Sequence, residues 1–145
     1  MSIKNFLLQH NCIQLGVICK TWEDAIYCAA QPLISAGCIT KAYPIAVIEN
    51  TKEYGPYYVF DEGIAIPHAR PECGVRENCF SLLTLQTPLS INGSEPVDIL
   101  IMFGGVNSDA HITEGIASIV NLLEKDDMLS RIRCATTSDD IVGVL

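Results

Sequence analysis

The chain lacks any apolar run of membrane length. Its longest, Ile99 to Val106, falls far short of the ~20 residues a helix needs to cross a bilayer. It is poor in positive charge, with 9 Lys and Arg against 17 Asp and Glu, a formal net charge of -8 over 145 residues. Such a chain repels a phosphate backbone, so electrostatically driven nucleic-acid binding is excluded, and no membrane insertion is expected. It also lacks any Cys-x-x-Cys pair. Its 7 cysteines, at positions 12, 19, 28, 38, 73, 79 and 134, are odd in number and loosely spaced. A disulfide framework or a four-thiolate zinc site fits poorly, and most of the thiols read as small buried hydrophobes in a reducing compartment. No Ser/Gly-rich linker, charge block or internal repeat interrupts the chain, so residues 1–145 read as one domain. The first ten residues show no secretory signal, which places the protein in the cytoplasm.

What is present is a core. The hydrophobic fraction is 49% against 18% charged, enough to fold. Trp22, Ala25, Ile26, Ala29, Ala30, Leu33 and Ile34 fall at helical spacing, with Thr21 as N-cap, Asp24 completing a capping box, and Gly37 as the stop. Pro32 predicts a kink or an early end. A second helix is predicted over Lys41 to Glu53, packing Tyr43, Ala46 and Val47 and stopped by Gly55-Pro56.

Strands are predicted over Tyr57–Phe60, Ile64–Ile66, Phe80–Leu85 and Val97–Phe103, the last with both faces buried. A helix opens at Ser108-Asp109, with Ile112, Ile116, Ile119, Val120 and Leu123 as its apolar positions. Short helices over Met128–Cys134 and Ser138–Val144 finish the chain. The predicted fold class is α/β, a single domain with a mixed β-sheet flanked by helices on both faces.

Of three histidines, His10 reads as a surface residue and two have loaded settings. His68 lies in Gly63-Ile-Ala-Ile-Pro-His-Ala-Arg70. Pro67 stiffens the backbone just before it, Ala69 leaves room beside the ring, and Arg70 offers a planar cationic fork for anionic oxygens. A neutral imidazole, with ordinary pKa near ~6.5, has one ring nitrogen free as a nucleophile. His111 stands in the first turn of its predicted helix, where exposed N–H groups favour anions. Cys73 and Cys79 flank the His68 loop but lack the electropositive setting of a reactive thiol.

The string Gly63-Ile-Ala-Ile-Pro-His-Ala-Arg-Pro-Glu-Cys-Gly-Val75 resembles the active-site signature of enzyme IIA proteins of the mannitol–fructose class, from the bacterial phosphoenolpyruvate-dependent sugar phosphotransferase system. The resemblance extends to Tyr54-Gly-Pro-Tyr-Tyr58, to Pro96-Val-Asp-Ile-Leu-Ile101 and to the helix at His111. Ile119-Val-Asn-Leu-Leu-Glu124 is most similar to the ascorbate branch.

The resemblance implies a phosphoryl relay. His68 would accept the group from the phosphocarrier HPr on Nε2 and pass it to a cysteine of enzyme IIB, which serves a membrane IIC protein. It makes His111 the supporting histidine. The mannitol branch carries an arginine at the end of the preceding helix, where this chain has Glu49-Asn50-Thr51; Asn50 would donate a hydrogen bond instead, with charge from Arg70 or Lys52. The acceptor fixing the His68 tautomer is left between Asp98 and Glu49. Neither a cofactor nor a metal is implied, and a homodimer stays open. The alternative is a regulatory module of the same type, sensing phosphoryl flux and binding other proteins without feeding a transporter. A metal site built from His68, His111 and a cysteine is disfavoured by the ligand spacing.

Overall fold

The computed structural model describes residues 3–145, with side chains described for all of these except 112–114. Four strands form one sheet in the order β1-β3-β4-β2. They are β1 (Ile13–Val17), β2 (Ile64–Ala65), β3 (Cys79–Ser90) and β4 (Pro96–Gly104). The β3–β4 pair is antiparallel, with Phe80 opposite Phe103 and Leu83 opposite Leu100. β1 runs parallel to β3, and β2 parallel to β4. The sheet is therefore mixed, as the sequence predicts. The apolar run of β4 from Ile99 to Phe103 is buried throughout, which a strand covered on both faces requires.

Among the described residues six α-helices cover the sheet: α1 (Ile3–His10), α2 (Trp22–Ser35), α3 (Ala42–Tyr54), α4 (Ala117–Leu123), α5 (Met128–Cys134) and α6 (Ser138–Val144). Alternation along β3 assigns their faces. The Ser81 hydroxyl donates to the Ala29 carbonyl of α2 at 2.7 Å. Its neighbour Phe80 points the other way and meets Phe6 of α1 edge to face, at 6.2 Å between ring centres. Helices thus lie on both faces. No helix among the described residues is long and apolar enough to cross a membrane.

Several details differ from the sequence expectation. α1 buries Ile3, Phe6 and Leu7, a three-residue stripe too short to stand out as periodicity. His10, expected at the surface, is half-buried and stacks on Phe6 at 4.3 Å. β1 escapes notice because Gly16 breaks its pattern. That glycine has φ +63, and its N–H donates to the Thr84 hydroxyl at 2.9 Å, so the strand bulges there.

Tyr57–Phe60 is a turn rather than a strand. Only Val59 bridges antiparallel to Ala65, so the expected antiparallel contact survives as a single rung. In α4, Ile119 is buried and Val120 is turned outward at 40% exposure; the Ile112 side chain lies outside the described residues.

α2 follows its signals closely. The Thr21 hydroxyl accepts from the Asp24 N–H at 3.1 Å, and Gly37 leaves the helix at φ +76. Pro32 does not break it. A proline at position 32 cannot donate to the Cys28 carbonyl four residues back, and the Gln14 side-chain amide donates there instead, at 2.7 Å. The lost helical bond becomes a tie between α2 and β1. A full capping box forms at Thr137–Asp140 of α6.

Leu83 is wholly buried at the centre of β3. Leu83→Ala should cost about 2–5 kcal/mol, the range for large-to-small changes in a closed core, read as a lower denaturant midpoint with unchanged slope.

Candidate functional site

The parallel pairing of β2 with β4 delivers Pro67 and His68 beyond the sheet's edge. The Phe103 N–H donates to the Pro67 carbonyl at 3.3 Å, so the chain stays registered on β4 up to the residue before the histidine. The His68 ring then turns back on its own strand. Its Nδ1 lies 2.7 Å from the Ile66 carbonyl oxygen. A carbonyl only accepts, so Nδ1 carries the proton and Nε2 keeps its lone pair. The acceptor is thus a backbone group two residues upstream. Asp98 is elsewhere, ion-paired with Arg133 at 2.8 Å, and Glu49 is exposed on α3.

Phe103, the last aromatic of β4, forms the floor. Its ring centre lies 4.9 Å from that of His68 and 5.0 Å from that of His111, and the two imidazoles are 5.2 Å apart. His111 arrives on the helix over residues 108–123. Asn107 caps that helix by accepting from the Ala110 N–H at 2.9 Å, and the backbone from Ala110 to Ile116 takes the wider π form.

Two glycines allow this approach. A Cβ on Gly105 would meet the His111 backbone nitrogen at 2.5 Å, and one on Gly115 would meet the Phe103 ring at 2.4 Å. The His111 Nδ1 is buried with no hydrogen-bond partner among the described residues, a rare condition for a ring nitrogen.

His68, His111, Arg70 and Asn50 all line one cavity of about 270 Å³, so the structure brings the four residues singled out from sequence together. Arg70 is exposed at its rim and forms no ion pair among the described residues. Lys52 is exposed on α3 and is not among the lining residues. Tyr54 and Tyr57, which the sequence does not mark as site residues, complete the wall together with Ala69, the small residue expected beside the ring. Tyr57 donates to the His68 carbonyl, and its ring meets the imidazole edge to face at 5.4 Å. The repeated aromatics of Tyr54-Gly-Pro-Tyr-Tyr58 were the available signal.

Burial pushes His68 below the ordinary histidine pKa; the Ile66 bond opposes this, and the His111 ring adds a smaller downward push. His111 is likewise lowered by burial, with Glu72 opposing. Both rings are therefore predominantly neutral near pH 7, and the Nε2 lone pair of His68 is available. The cysteines beside the loop offer no rival nucleophile. Cys79 is wholly buried, its thiol pushed up by a hydrogen bond to Cys38 and by burial, and Cys73 does not line the cavity. Among the described residues no group of three or more His, Cys, Asp or Glu stands together as a metal cage.

The family described as "Phosphoenolpyruvate-dependent sugar phosphotransferase system, EIIA 2" matches residues 6–145. The ascorbate-specific PTS system EIIA component of Salmonella choleraesuis (strain SC-B67) is 35% identical over 147 residues, covering 100% of this chain and 96% of that protein. The crystal structure of PtxA from Streptococcus mutans, described as a PTS IIA protein, superposes with a TM-score of 0.94 at 33% identity, over 99% of this chain and 92% of that one. The mannitol enzyme IIA of Escherichia coli, solved in complex with phosphorylated enzyme IIB, shares the fold at a TM-score of 0.75 and 24% identity, over 92% of each chain.

Two outcomes follow from this geometry. In an NMR titration the His68 ring should show a midpoint below ~6.5. Between that lowered pKa and ~6.5 the unfolded chain binds more protons, so stability should rise with pH across the window and be lost as pH falls through it. Gly115→Ala should be net destabilising by up to about 2 kcal/mol. Crowding the Phe103 ring costs ~1–3 kcal/mol, and the gain in helix propensity returns only ~1 kcal/mol. A lower Tm with shifted ring-proton signals of His68 and His111 would register it.

Proposed function

The chain belongs to the EIIA 2 family of the phosphoenolpyruvate-dependent sugar phosphotransferase system, and on that premise we propose that it relays a phosphoryl group through Nε2 of His68. The observation that carries this reading is the 2.7 Å contact from Nδ1 to the Ile66 carbonyl. It leaves one nucleophilic nitrogen, facing a cavity that also holds Arg70 and His111.

In the forward step the Nε2 lone pair attacks the phosphorus of a phosphohistidine on HPr. The new P–N bond forms as the donor's breaks, and the donor ring takes back its electron pair. The phosphorylated His68 ring carries positive charge on its Nδ1–H side, which the Ile66 carbonyl faces. In the second step a cysteine thiolate of enzyme IIB attacks the same phosphorus, a P–S bond replaces the P–N bond, and Nε2 regains its lone pair.

Phosphoryl transfer passes through a loose transition state with charge on three equatorial oxygens. Alignment and well-placed donors supply its catalysis. Arg70 and the Asn50 amide are the donors at the rim. The His111 ring, 5.2 Å from the His68 ring and lining the same cavity, supports the group. No metal or cofactor enters these steps. A single arginine holds a dianion less tightly than a cluster would, which suits a group that must leave again. The exposed rings of Tyr54 and Tyr57 give the cavity an apolar rim, suited to a small transient interface with successive protein partners.

The sugar is assigned by relatedness alone. The ascorbate-specific component at 35% identity supports an ascorbate system. Enzyme IIB would then pass the group to a sugar entering through a membrane IIC protein, with the relay itself in the cytoplasm. The complex of the E. coli mannitol IIA with phosphorylated IIB supports an enzyme IIB partner here.

Incubation with phosphoenolpyruvate, enzyme I and HPr should place one acid-labile phosphate on the peptide containing His68. His68→Ala should abolish labelling, and His111→Ala should slow it by about 100–1,000-fold while leaving the acceptor in place. Labelling of the His68→Ala protein would overturn the assignment. Discharge by an ascorbate IIB, and not by a mannitol IIB, would confirm the branch.

A further inference from the structure

The peptide unit joining His68 to Ala69 is held from both ends by tyrosine hydroxyls. Its carbonyl accepts from Tyr57. Its N–H, on Ala69, donates to the Tyr43 oxygen at 3.0 Å. The Tyr43 hydroxyl spends its one proton on the Phe103 carbonyl at 2.7 Å, the shorter of its two carbonyl contacts; the other, to the Ala69 carbonyl, is 3.2 Å.

The two rings come from different places. Tyr43 stands at the start of α3 and is wholly buried, while Tyr57 follows the end of α3 and is 42% exposed. The Tyr57 ring is itself fixed, packing edge to face on Tyr58 at 4.9 Å. Tyr58 is anchored at 2.7 Å to the Thr51 hydroxyl, which in turn donates to the Val47 carbonyl.

A peptide plane pinned at both its donor and its acceptor cannot rotate. Rotation there would swing the Cα–Cβ bond of His68 and lengthen the Nδ1 contact to Ile66. We propose that Tyr43 and Tyr57 form a clamp on this peptide and that Tyr57, through its hydroxyl, is a positioning residue that holds His68 in the Nδ1–H tautomer with Nε2 aligned for transfer. The proposal rests on the relay reading for its kinetic consequence, but its structural part does not. Misalignment of a nucleophile by a fraction of an ångström lowers rate rather than affinity. The clamp therefore predicts a loss in kcat, whereas a Tyr57 that merely touched the partner would change KM.

Tyr57→Phe is the informative variant, because the ring and its packing stay and only the hydroxyl goes. Its phosphorylation by phospho-HPr should show kcat lowered about tenfold or more with KM little changed. Nitrogen NMR of the unphosphorylated protein should show a larger share of the Nε2–H tautomer of His68 than wild type has. Unchanged kcat and an unchanged tautomer would overturn the proposal, as would a loss confined to KM or to Tm. Tyr43→Phe leaves the Ala69 N–H and the Phe103 carbonyl buried without their partner, so it should lower Tm as well. If wild-type protein takes no phosphate from phospho-HPr, the relay reading fails, and the NMR comparison still decides the clamp.

Discussion

The hydrogen bond from His68 Nδ1 to the Ile66 carbonyl is the interaction on which the site depends. It joins a ring to the backbone of its own strand, so it forms only where the strand ends in a fixed geometry. Pairing of Ile64 and Ala65 with Ile99 and Leu100 supplies that geometry, and Pro67 removes a degree of freedom at the next step. Remove the register and the imidazole has no defined tautomer. The protein uses a backbone carbonyl where a carboxylate would add a negative charge beside an incoming anion. That choice matters in a chain of net charge -8, because it keeps the pocket's own charge balance in favour of Arg70.

The chain as a whole repels phosphate, yet its site accepts a phosphoryl group under the reading given above. The two are reconciled by scale. At physiological salt, charges more than about 8 Å apart are largely screened, so the distant carboxylates weigh little at the cavity. What counts there is one arginine, two neutral rings and the Asn50 side chain. The same acidic exterior is available to steer a basic partner surface, an effect that weakens as salt rises.

Much of this was legible in the residues. The His68 octet, the helix of α2 with its Thr21 cap and Gly37 stop, the buried run of β4 and the helix at His111 all carry strong local signals, and His68, His111, Arg70 and Asn50 line one cavity while Lys52 does not. What escaped is instructive. α1 and β1 are short, and their apolar content is indistinguishable from chance without their tertiary partners, Phe80 for α1 and Thr84 for β1. Carboxylates stand out in a sequence as acceptors for an imidazole N–H because side chains are visible there, whereas a carbonyl exists at every position and marks none. The sequence pattern puts Tyr57 in a strand; only the fold shows its hydroxyl turned onto His68.

The Phe103 ring lies against both imidazoles, and its space is granted by the missing side chain at Gly115. Positions 103 and 115 are twelve residues apart in the chain but share one volume. Evolutionary drift at either is therefore conditional on the other. A larger residue at 115 is admissible only with a smaller one at 103, which would withdraw the surface on which both histidines rest. The pair forms a joint constraint on sequence space, and relatives that keep two histidines in this arrangement should vary at these two sites together or at neither.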